Sequence, residues 1–313
     1  MMRIVHTATP AWQALRIVLL TAVPVALVLG PDSFLLMLAR SFMRQWAVVF
    51  ALLAGFFLIR RWMWHTVTAG LAAVLISMEV PWLEPVAAAP NEHDHLLRVG
   101  QFNVLQPNVN KAAVIGAARV SGADVLSFQE VDGAWAVVLE EMLSPEFPYH
   151  IVVPRNDCYG IALFSRLPVD GMELLDLFGA PAIRATVHTP NAVVVVTAVH
   201  ARSPFPHAAF GKRNRQFDLL AAELRNRTLP QVVIGDLNAV GWDDALVIFR
   251  ERAGLKSAPA YEQATFPSVL GSAMIPIDHI LGSAELTIDN ASTLFLEGSD
   301  HRGLIADVGK HSL

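Results

Sequence analysis

Eight polar residues, all of types that bind cations, move protons or donate hydrogen bonds, follow or precede short apolar runs in the later part of the sequence. They are carboxylates, carboxamides and imidazoles. Each of them alone is typical of a solvated turn or a loop cap. Ligand sites in layered α/β folds collect where strands end, so we expect these residues to converge. The set is Asn103, Glu130, His200, Asp236, Asn238, Asp278, Asp300 and His301.

The segments that must position these residues alternate between strand-like and helical patterns. Leu97–Val104 alternates like a strand, and Lys111–Ser121 has helical spacing. Two β-rich runs, Ile183–Thr189 and Val193–Val199, are adjacent, which favours two packed sheets with helices outside over one doubly wound sheet. The other expected elements are strands at Asp124–Phe128, Ile161–Ser165, Gln231–Ile234, Ile277–Leu281 and Leu304–Val308, and helices at Trp135–Leu143 and Arg213–Arg225.

The first 90 residues have a different composition from the rest. The whole chain is 54% hydrophobic and 16% charged, with a mean hydropathy of +0.44, whereas a soluble protein is nearer a quarter charged. Residues 1–90 hold six basic and three acidic residues. Three apolar stretches, Trp12–Gly30, Trp46–Ile59 and Trp62–Leu83, predict about three transmembrane helices, the second being short for a span. A cleaved signal peptide is the alternative for the first stretch.

This pattern predicts three parts and an orientation. We expect a membrane segment at 1–84, a linker at 85–96 and a catalytic domain at 97–313. The positive-inside rule sets Arg3, Arg16, Arg60 and Arg61 against Arg40 and Arg44, which favours a cytoplasmic N-terminus by two charges. Three spans would then place the catalytic domain outside the cytoplasm. The single Cys158 cannot form an internal disulfide.

Seven short motifs resemble those of the endonuclease/exonuclease/phosphatase superfamily. The resemblance covers roughly residues 97–310, and membrane-anchored bacterial members also look like this chain. It implies an α/β fold, a four-layer α/β/β/α sandwich, preceded here by the N-terminal transmembrane segment. The motifs are Gln-Phe-Asn-Val (101–104), Ser-Phe-Gln-Glu-Val (127–131), Gly-Ile-Ala-Leu-Phe-Ser-Arg-Leu-Pro (160–168), Val-His (199–200), Gly-Asp-Leu-Asn-Ala (235–239), Ile-Asp-His-Ile-Leu (277–281) and Gly-Ser-Asp-His-Arg (298–302).

The resemblance also implies roles in Mg²⁺- or Mn²⁺-dependent hydrolysis of phosphate esters. Glu130 would bind the metal, and Asp300 would be a second ligand or would orient His301. Which of Asp236 and His301 is the general base stays open. His200 would donate to phosphoryl or leaving-group oxygens, and Asp278 would hold the His301 ring in one tautomer. Asn103 would hydrogen-bond Glu130 or the phosphate, and Asn238 would hydrogen-bond the phosphate. Arg184 would contact the phosphate or be a surface charge at a strand end.

The sequence leaves three functions in competition. A nuclease should present a basic track, yet residues 91–313 carry 17 basic and 25 acidic residues, a net charge of −8. Nucleic acid is therefore disfavoured as the partner. A phosphodiesterase or phosphatase acting on an extracytoplasmic or lipid-linked ester gains from anchoring in the bilayer of the cell inner membrane. The third reading is an inactive membrane scaffold, which conflicts with a full set of competent polar residues.

Overall fold

The computed structural model describes residues 10–82, 95–225, 227–257, 263–268 and 275–311. The chain divides into two compact units, Met1–Trp82 (the N-terminal unit) and Leu83–Leu313 (the C-terminal unit). Most of the expected linker, like Arg3, lies outside the described residues. Its last two residues, 95 and 96, belong to the first strand of the C-terminal unit.

The described part of the N-terminal unit folds as four helices where the apolar pattern predicted three. They are α1 (Pro10–Leu29), α2 (Phe34–Arg40), α3 (Met43–Ile59) and α4 (Met63–Met78). In the described chain, α1 is the one helix long and apolar enough by itself to cross a membrane. The pair α2 and α3 meets the same test jointly but is bent by 67°, and α4 has 16 residues.

The extra helix forms where a charge, Arg40, was expected to separate two apolar stretches. Arg40 is buried, and its guanidinium donates to the carbonyl oxygens of Leu27 and Gly30 at 2.8 and 2.5 Å. These carbonyls lie at the end of α1, where backbone acceptors have no partner within the helix. The arginine therefore caps α1 instead of ending an apolar segment.

The C-terminal unit contains two six-stranded mixed sheets within its described residues. Sheet A has the order β11-β12-β1-β2-β4-β3 and sheet B the order β5-β6-β7-β8-β10-β9. One parallel pair lies inside each sheet, β1 with β2 and β7 with β8. The strands are β1 (His95–Asn103), β2 (Val125–Gln129), β3 (Tyr149–Val153), β4 (Ile161–Ser165), β5 (Val169–Leu177), β6 (Ala180–His188), β7 (Val193–His200), β8 (Gln231–Asp236), β9 (Leu255–Ser257), β10 (Asp278–Ser283), β11 (Leu286–Phe295) and β12 (Arg302–Lys310).

Helices cover the outer face of each sheet. Sheet A packs against α5 (Lys111–Val120) and α6 (Gly133–Leu143), and sheet B packs against α7 (Phe210–Leu224) and α8 (Asp244–Ala253). A third apolar core, rich in Val, Ile and Leu, fills the space between the sheets. The layers run helix, sheet, sheet, helix, which confirms the predicted four-layer sandwich.

Candidate active site

The polar residues singled out in the sequence lie where the apolar core between the two sheets ends. Side chains alternate between the faces of a strand, and Val99 on β1 and Ile234 on β8 both point between the sheets. Two positions further along each strand, the same alternation turns Gln101 and Asp236 inward. Asn103, His200 and Asp278 follow the same rule on their own strands, and all of these inward-facing residues are buried.

Two backbone features bring the strand ends together. Gly235 pairs with Val199 across the parallel β7–β8 pair, and its φ is +148°. A Cβ built on Gly235 would lie 1.8 Å from the carbonyl oxygen of Val199, so only glycine fits beside Asp236. Glu130 and Asn238 have φ values of +65° and +49°, in the left-handed region that non-glycine residues rarely adopt. These turns direct both side chains back to the strand ends.

Asn103 joins three of the predicted site residues. Its Nδ2 atom lies 3.1 Å from Glu130 Oε1, 3.1 Å from Asp236 Oδ2 and 3.5 Å from His301 Nε2. Its Oδ1 atom accepts from the backbone N–H of Leu105 at 3.1 Å, which fixes the amide orientation. The Asn103 carboxamide on β1 therefore contacts Glu130 after β2, Asp236 at the end of β8 and His301 just before β12.

The imidazole of His301 is held from its opposite side. Its Nδ1 atom lies 2.9 Å from Asp278 Oδ2, and the other oxygen of Asp278 accepts a hydrogen bond from Gln101 Nε2. Ser299 accepts from the backbone N–H of His301 at 3.0 Å and donates to the carbonyl of Asn103 at 2.8 Å. With Nδ1 committed to Asp278, His301 presents Nε2 to Asp236, 3.7 Å from its Oδ2.

His200 approaches Asp236 from the strand next to it. Its Nε2 atom is 3.6 Å from Asp236 Oδ2, and its ring lies 5.4 Å from that of Tyr159, centroid to centroid. Burial, helped by the nearby charge of His301, lowers the pKa of His200 to about 4. The ring is therefore neutral at pH 7 and offers one donor and one acceptor.

The pKa values of Asp236 and His301 are both raised. Burial, together with the charge of Asp278, raises the pKa of Asp236. Burial opposes the charged form of His301, but the carboxylates of Asp278 and Asp236 outweigh it and raise its pKa. The raised pKa of His301 favours its protonated form at neutral pH.

Two sets of side chains could hold a cation. Asp236, Asp278 and His301 offer three buried ligand atoms within 4.8 Å of one another, but Asp278 and His301 are hydrogen-bonded to each other. Glu130 offers carboxylate oxygens that accept from Asn103 and from the backbone N–H of Gln106. Asp300 has a buried Oδ1 with no hydrogen-bond partner among the described residues. Carboxylate oxygens such as those of Glu130 and Asp300 are the ligand type that Mg²⁺ prefers, and the Asp300 oxygen is unpartnered among the described residues.

The structure does not bring Arg184 to this cluster. The neighbours of Arg184 on β6, Ile183 and Ala185, pack between the sheets, so strand alternation turns Arg184 to the outer face. Its guanidinium lies 2.6 Å from Glu173 and 3.3 Å from Glu223 of α7. The expectation that Arg184 contacts the phosphate is corrected, because its side chain lies on the other face of sheet B.

The sequence pattern of the Endonuclease/Exonuclease/phosphatase family matches residues 100–301 of the chain. The chain belongs to this family. The match spans nearly the whole C-terminal unit, from β1 to His301. Members of this family, as its name states, include nucleases and phosphatases, enzymes that act on phosphate esters. A comparison with curated protein sequences gave no significant match.

Solved structures of the family share the fold at low sequence identity. An endonuclease/exonuclease/phosphatase from Beutenbergia cavernae DSM 12333 has 17% identity and a TM-score of 0.58, covering 70% of this chain and 72% of that one. D. rerio TDP2 complexed with a single-strand DNA product has 15% identity and a TM-score of 0.58, covering 68% and 98%. Sphingomyelinase C from Streptomyces griseocarneus has 18% identity and a TM-score of 0.52, covering 68% and 99%.

Sequence reasoning missed two residues, Gln101 and Ser299, that hydrogen-bond to the residues of the candidate site. Gln101, two positions before Asn103 on the inward face of β1, donates to Asp278. Ser299 links the His301 backbone to that of Asn103. Gln101 lies in the motif at 101–104 and Ser299 in the motif at 298–302. The two-residue period of a strand would have predicted that Gln101, like Asn103, faces inward. Nothing in the sequence identified Asp278 as its partner.

Proposed function

We propose that this protein is a metal-dependent hydrolase of phosphate esters that is anchored in the membrane. The observation that carries the proposal is the contact of Asn103 Nδ2 with Glu130, Asp236 and His301, at 3.1, 3.1 and 3.5 Å. Phosphate ester hydrolysis needs a positioned water, neutralised phosphoryl oxygens and a stabilised leaving group. The carboxylate of Glu130 could bind a cation, the carboxylate of Asp236 could accept a proton, and the imidazole of His301 could stabilise negative charge. All three groups lie around Asn103 Nδ2.

The contacts support distinct roles for these side chains. Asp278 holds His301 with Nε2 toward the reacting group, and carboxylates on both sides favour the protonated ring, so His301 donates to the phosphate or the leaving group. Asp236 then accepts the proton of the attacking water. His200 donates to a phosphoryl oxygen, and Asn103 holds the carboxylates of Glu130 and Asp236. Asn238 keeps Asp236 in place through its backbone N–H, which donates to Asp236 Oδ1 at 2.8 Å.

The metal would be held by Glu130 and Asp300. When bound, Mg²⁺ or Mn²⁺ would neutralise the phosphoryl charge and stabilise the leaving oxygen. The protein's own contribution is to aim Glu130, whose two oxygens are fixed by Asn103 and by the Gln106 backbone. Such supporting hydrogen bonds hold a metal ligand in its geometry.

The proposed substrate is an extracytoplasmic or lipid-linked phosphate ester. The family fold does not choose between substrates, because it is shared by TDP2 with a DNA product and by sphingomyelinase C. The net charge of −8 in residues 91–313 disfavours long nucleic acids, which bind basic surfaces. An apolar helix, α1, long enough to cross a bilayer, favours a substrate in or near the membrane.

The helices also support the proposed sidedness. At one end of the N-terminal unit, the guanidinium groups of Arg16 and Arg60 lie 5.2 and 5.7 Å from the centre of the Trp62 ring. At the other end, Arg40 and Arg44 donate hydrogen bonds to carbonyl oxygens of the same unit. Arg40 donates to Leu27, and Arg44 donates to Pro81 at 2.8 Å. We propose that the Trp62 end is cytoplasmic and that the catalytic domain, 97–313, is periplasmic in a multi-pass inner-membrane protein.

The testing experiment is an assay of the full chain in detergent with Mg²⁺, Mn²⁺ or EDTA. Substrates should include a phosphomonoester, a phosphodiester, a phospholipid and DNA. We expect ester hydrolysis that requires the metal, is lost in Asp236→Asn and is kept in Asp289→Asn, a control acid on β11. Preference for DNA would favour a membrane-anchored nuclease, and no hydrolysis under any condition would favour an inactive scaffold.

A separate fusion experiment tests sidedness. A reporter active only outside the cytoplasm, fused after residue 313, should be active, and a reporter active only inside should be silent. The opposite result would place the domain in the cytoplasm and would remove the argument for an extracytoplasmic substrate.

A further inference from the structure

Arg202 is held at the edge of the site, two residues after His200. Its guanidinium donates to the carbonyl oxygen of Phe178 at 3.1 Å and lies 4.8 Å from the centre of the Tyr159 ring. Its Nε atom is buried and has no hydrogen-bond partner among the described residues. The Phe178 carbonyl and the Tyr159 ring therefore hold the guanidinium in place, and its Nε–H remains an unpartnered donor among the described residues.

The backbone contacts tie Arg202 and Tyr159 to the catalytic cluster. Asn238 Nδ2 donates to the carbonyl oxygen of Ala201 at 3.0 Å, directly before Arg202. Tyr159 precedes Gly160, where a Cβ would lie 1.8 Å from the Val131 carbonyl oxygen, so the Tyr159 segment is pressed against the strand end that carries Glu130. The Tyr159 ring then contacts both His200, at 5.4 Å, and Arg202. Arg202 is therefore connected to the candidate site through the Tyr159 ring, which also contacts His200.

The charge of Arg202 has no acidic partner in the described part of the chain. Its backbone N–H donates to Gln216, and the guanidinium contacts are a carbonyl and an aromatic face. By contrast, the neighbouring Arg155 is paired with Asp157, and Arg184 is paired with two glutamates. A half-buried guanidinium is stable when an anion completes its hydrogen bonds, and its planar fork suits phosphate and carboxylate groups.

We propose that Arg202 binds a second anionic group of the substrate, separate from the phosphate that reacts. This inference rests on the proposed phosphoesterase function. The Tyr159 ring contacts both His200 and Arg202, so a phosphate at His200 and an anion at Arg202 would both lie beside this ring. The substrate class is then a phosphate ester that carries another phosphate or carboxylate a short spacer away.

The test compares two 4-nitrophenyl phosphodiesters on the full chain. One carries a methyl group and a single negative charge, and the other carries a 3-phosphopropyl group. Arg202→Gln should raise KM for the phosphopropyl ester by about 10- to 100-fold, the usual range for a lost hydrogen bond to a charged group, and leave the methyl ester within about twofold. Arg202→Lys should restore part of the loss, since the charge remains and the fork is lost. Arg166→Gln, which also removes a guanidinium from an aromatic ring, is the matched control.

Two results would overturn the inference. An equal loss for both esters would show that Arg202 contacts the reacting phosphate, and no loss for either would show that it contacts no substrate anion. If the wild-type protein hydrolyses neither ester, the proposed function fails. Calorimetric binding then tests Arg202 by itself, because propane-1,3-bisphosphate should bind more tightly than inorganic phosphate to the wild type but not to Arg202→Gln. Equal binding of the two probes to the wild type would reject the second anion site.

Discussion

Replacing Gln101 by Leu tests whether His301 is positioned through Asp278. Gln101 is fully buried, and the only described hydrogen bond of its side chain goes to Asp278, whose other oxygen bonds His301. Leucine fills a similar volume but removes the donor. Among the described hydrogen bonds, the Asp278 carboxylate would then keep only the one with His301, so the imidazole would be held less firmly in place.

The size of the effect follows from the type of bond lost. A hydrogen bond to a charged group contributes about 1.5–3 kcal/mol, and each 1.4 kcal/mol is tenfold in rate. If the loss falls mainly on the transition state, kcat should drop about 10- to 100-fold while KM changes less than about threefold. Gln101 does not reach the phosphate itself, which is why KM should be nearly unchanged.

The matched control is Gln231→Leu. Gln231 is also a buried glutamine on a strand next to the inter-sheet core, but it lies at the opposite end of β8 from Asp236 and donates to the Leu224 carbonyl. Steady-state kinetics on a phosphodiester with Mg²⁺ and thermal unfolding should be measured for both variants. A Gln101→Leu enzyme with normal kcat, or an equal fall of kcat in Gln231→Leu, would refute the positioning role of Gln101.

Three further predictions address the metal, the proton transfer and the buried imidazole. Glu130→Gln keeps the side-chain volume and removes a ligand charge, so it should need more Mg²⁺ for half-maximal activity; full activity in EDTA would reject the metal mechanism. Asp236→Asn and His301→Ala should each lower kcat by a factor on the order of 10²–10⁴, and normal turnover in both would reject the site. The pKa of His200 is about 4, below its usual 6.5, so the unfolded chain binds a proton in this window that the native protein does not, and stability should fall as pH drops from 6.5 toward 4. His200→Gln should remove up to about 3 kcal/mol of that fall in urea unfolding, and an unchanged pH dependence would contradict the buried neutral ring.

The sequence predicted the sandwich because each layer leaves its own periodic pattern. Continuous β-rich runs such as Val193–Val199 indicated a covered strand, and the adjacent run before it indicated a second sheet. The site residues were predicted from their position at strand ends. The expected strand Ile183–Thr189 put Arg184 near a strand end, whereas β6 begins at Ala180 and places Arg184 in mid-strand on the face toward α7.

The N-terminal helices and the supporting residues depended on contacts between distant parts of the chain. Arg40 looked like a boundary because a charge usually ends an apolar helix, and only the carbonyl oxygens of Leu27 and Gly30 explain its burial. Gln101 and Asp278 are 177 positions apart in the sequence and meet only when β1 faces β10. No spacing rule within one segment predicts such a partner.

The place of β12 in sheet A has a consequence for when activity can begin. This strand is among the last described residues, 302–310, yet it lies between β11 and β1 inside the sheet, directly after His301. During synthesis on the ribosome, Asn103, Glu130 and Asp236 emerge long before His301 and its strand. The candidate site cannot be complete until β12 has paired with β1. Under the proposed function, a nascent chain that lacks β12 would therefore be inactive toward phosphate esters, and the pairing of this strand would be the step that completes the enzyme.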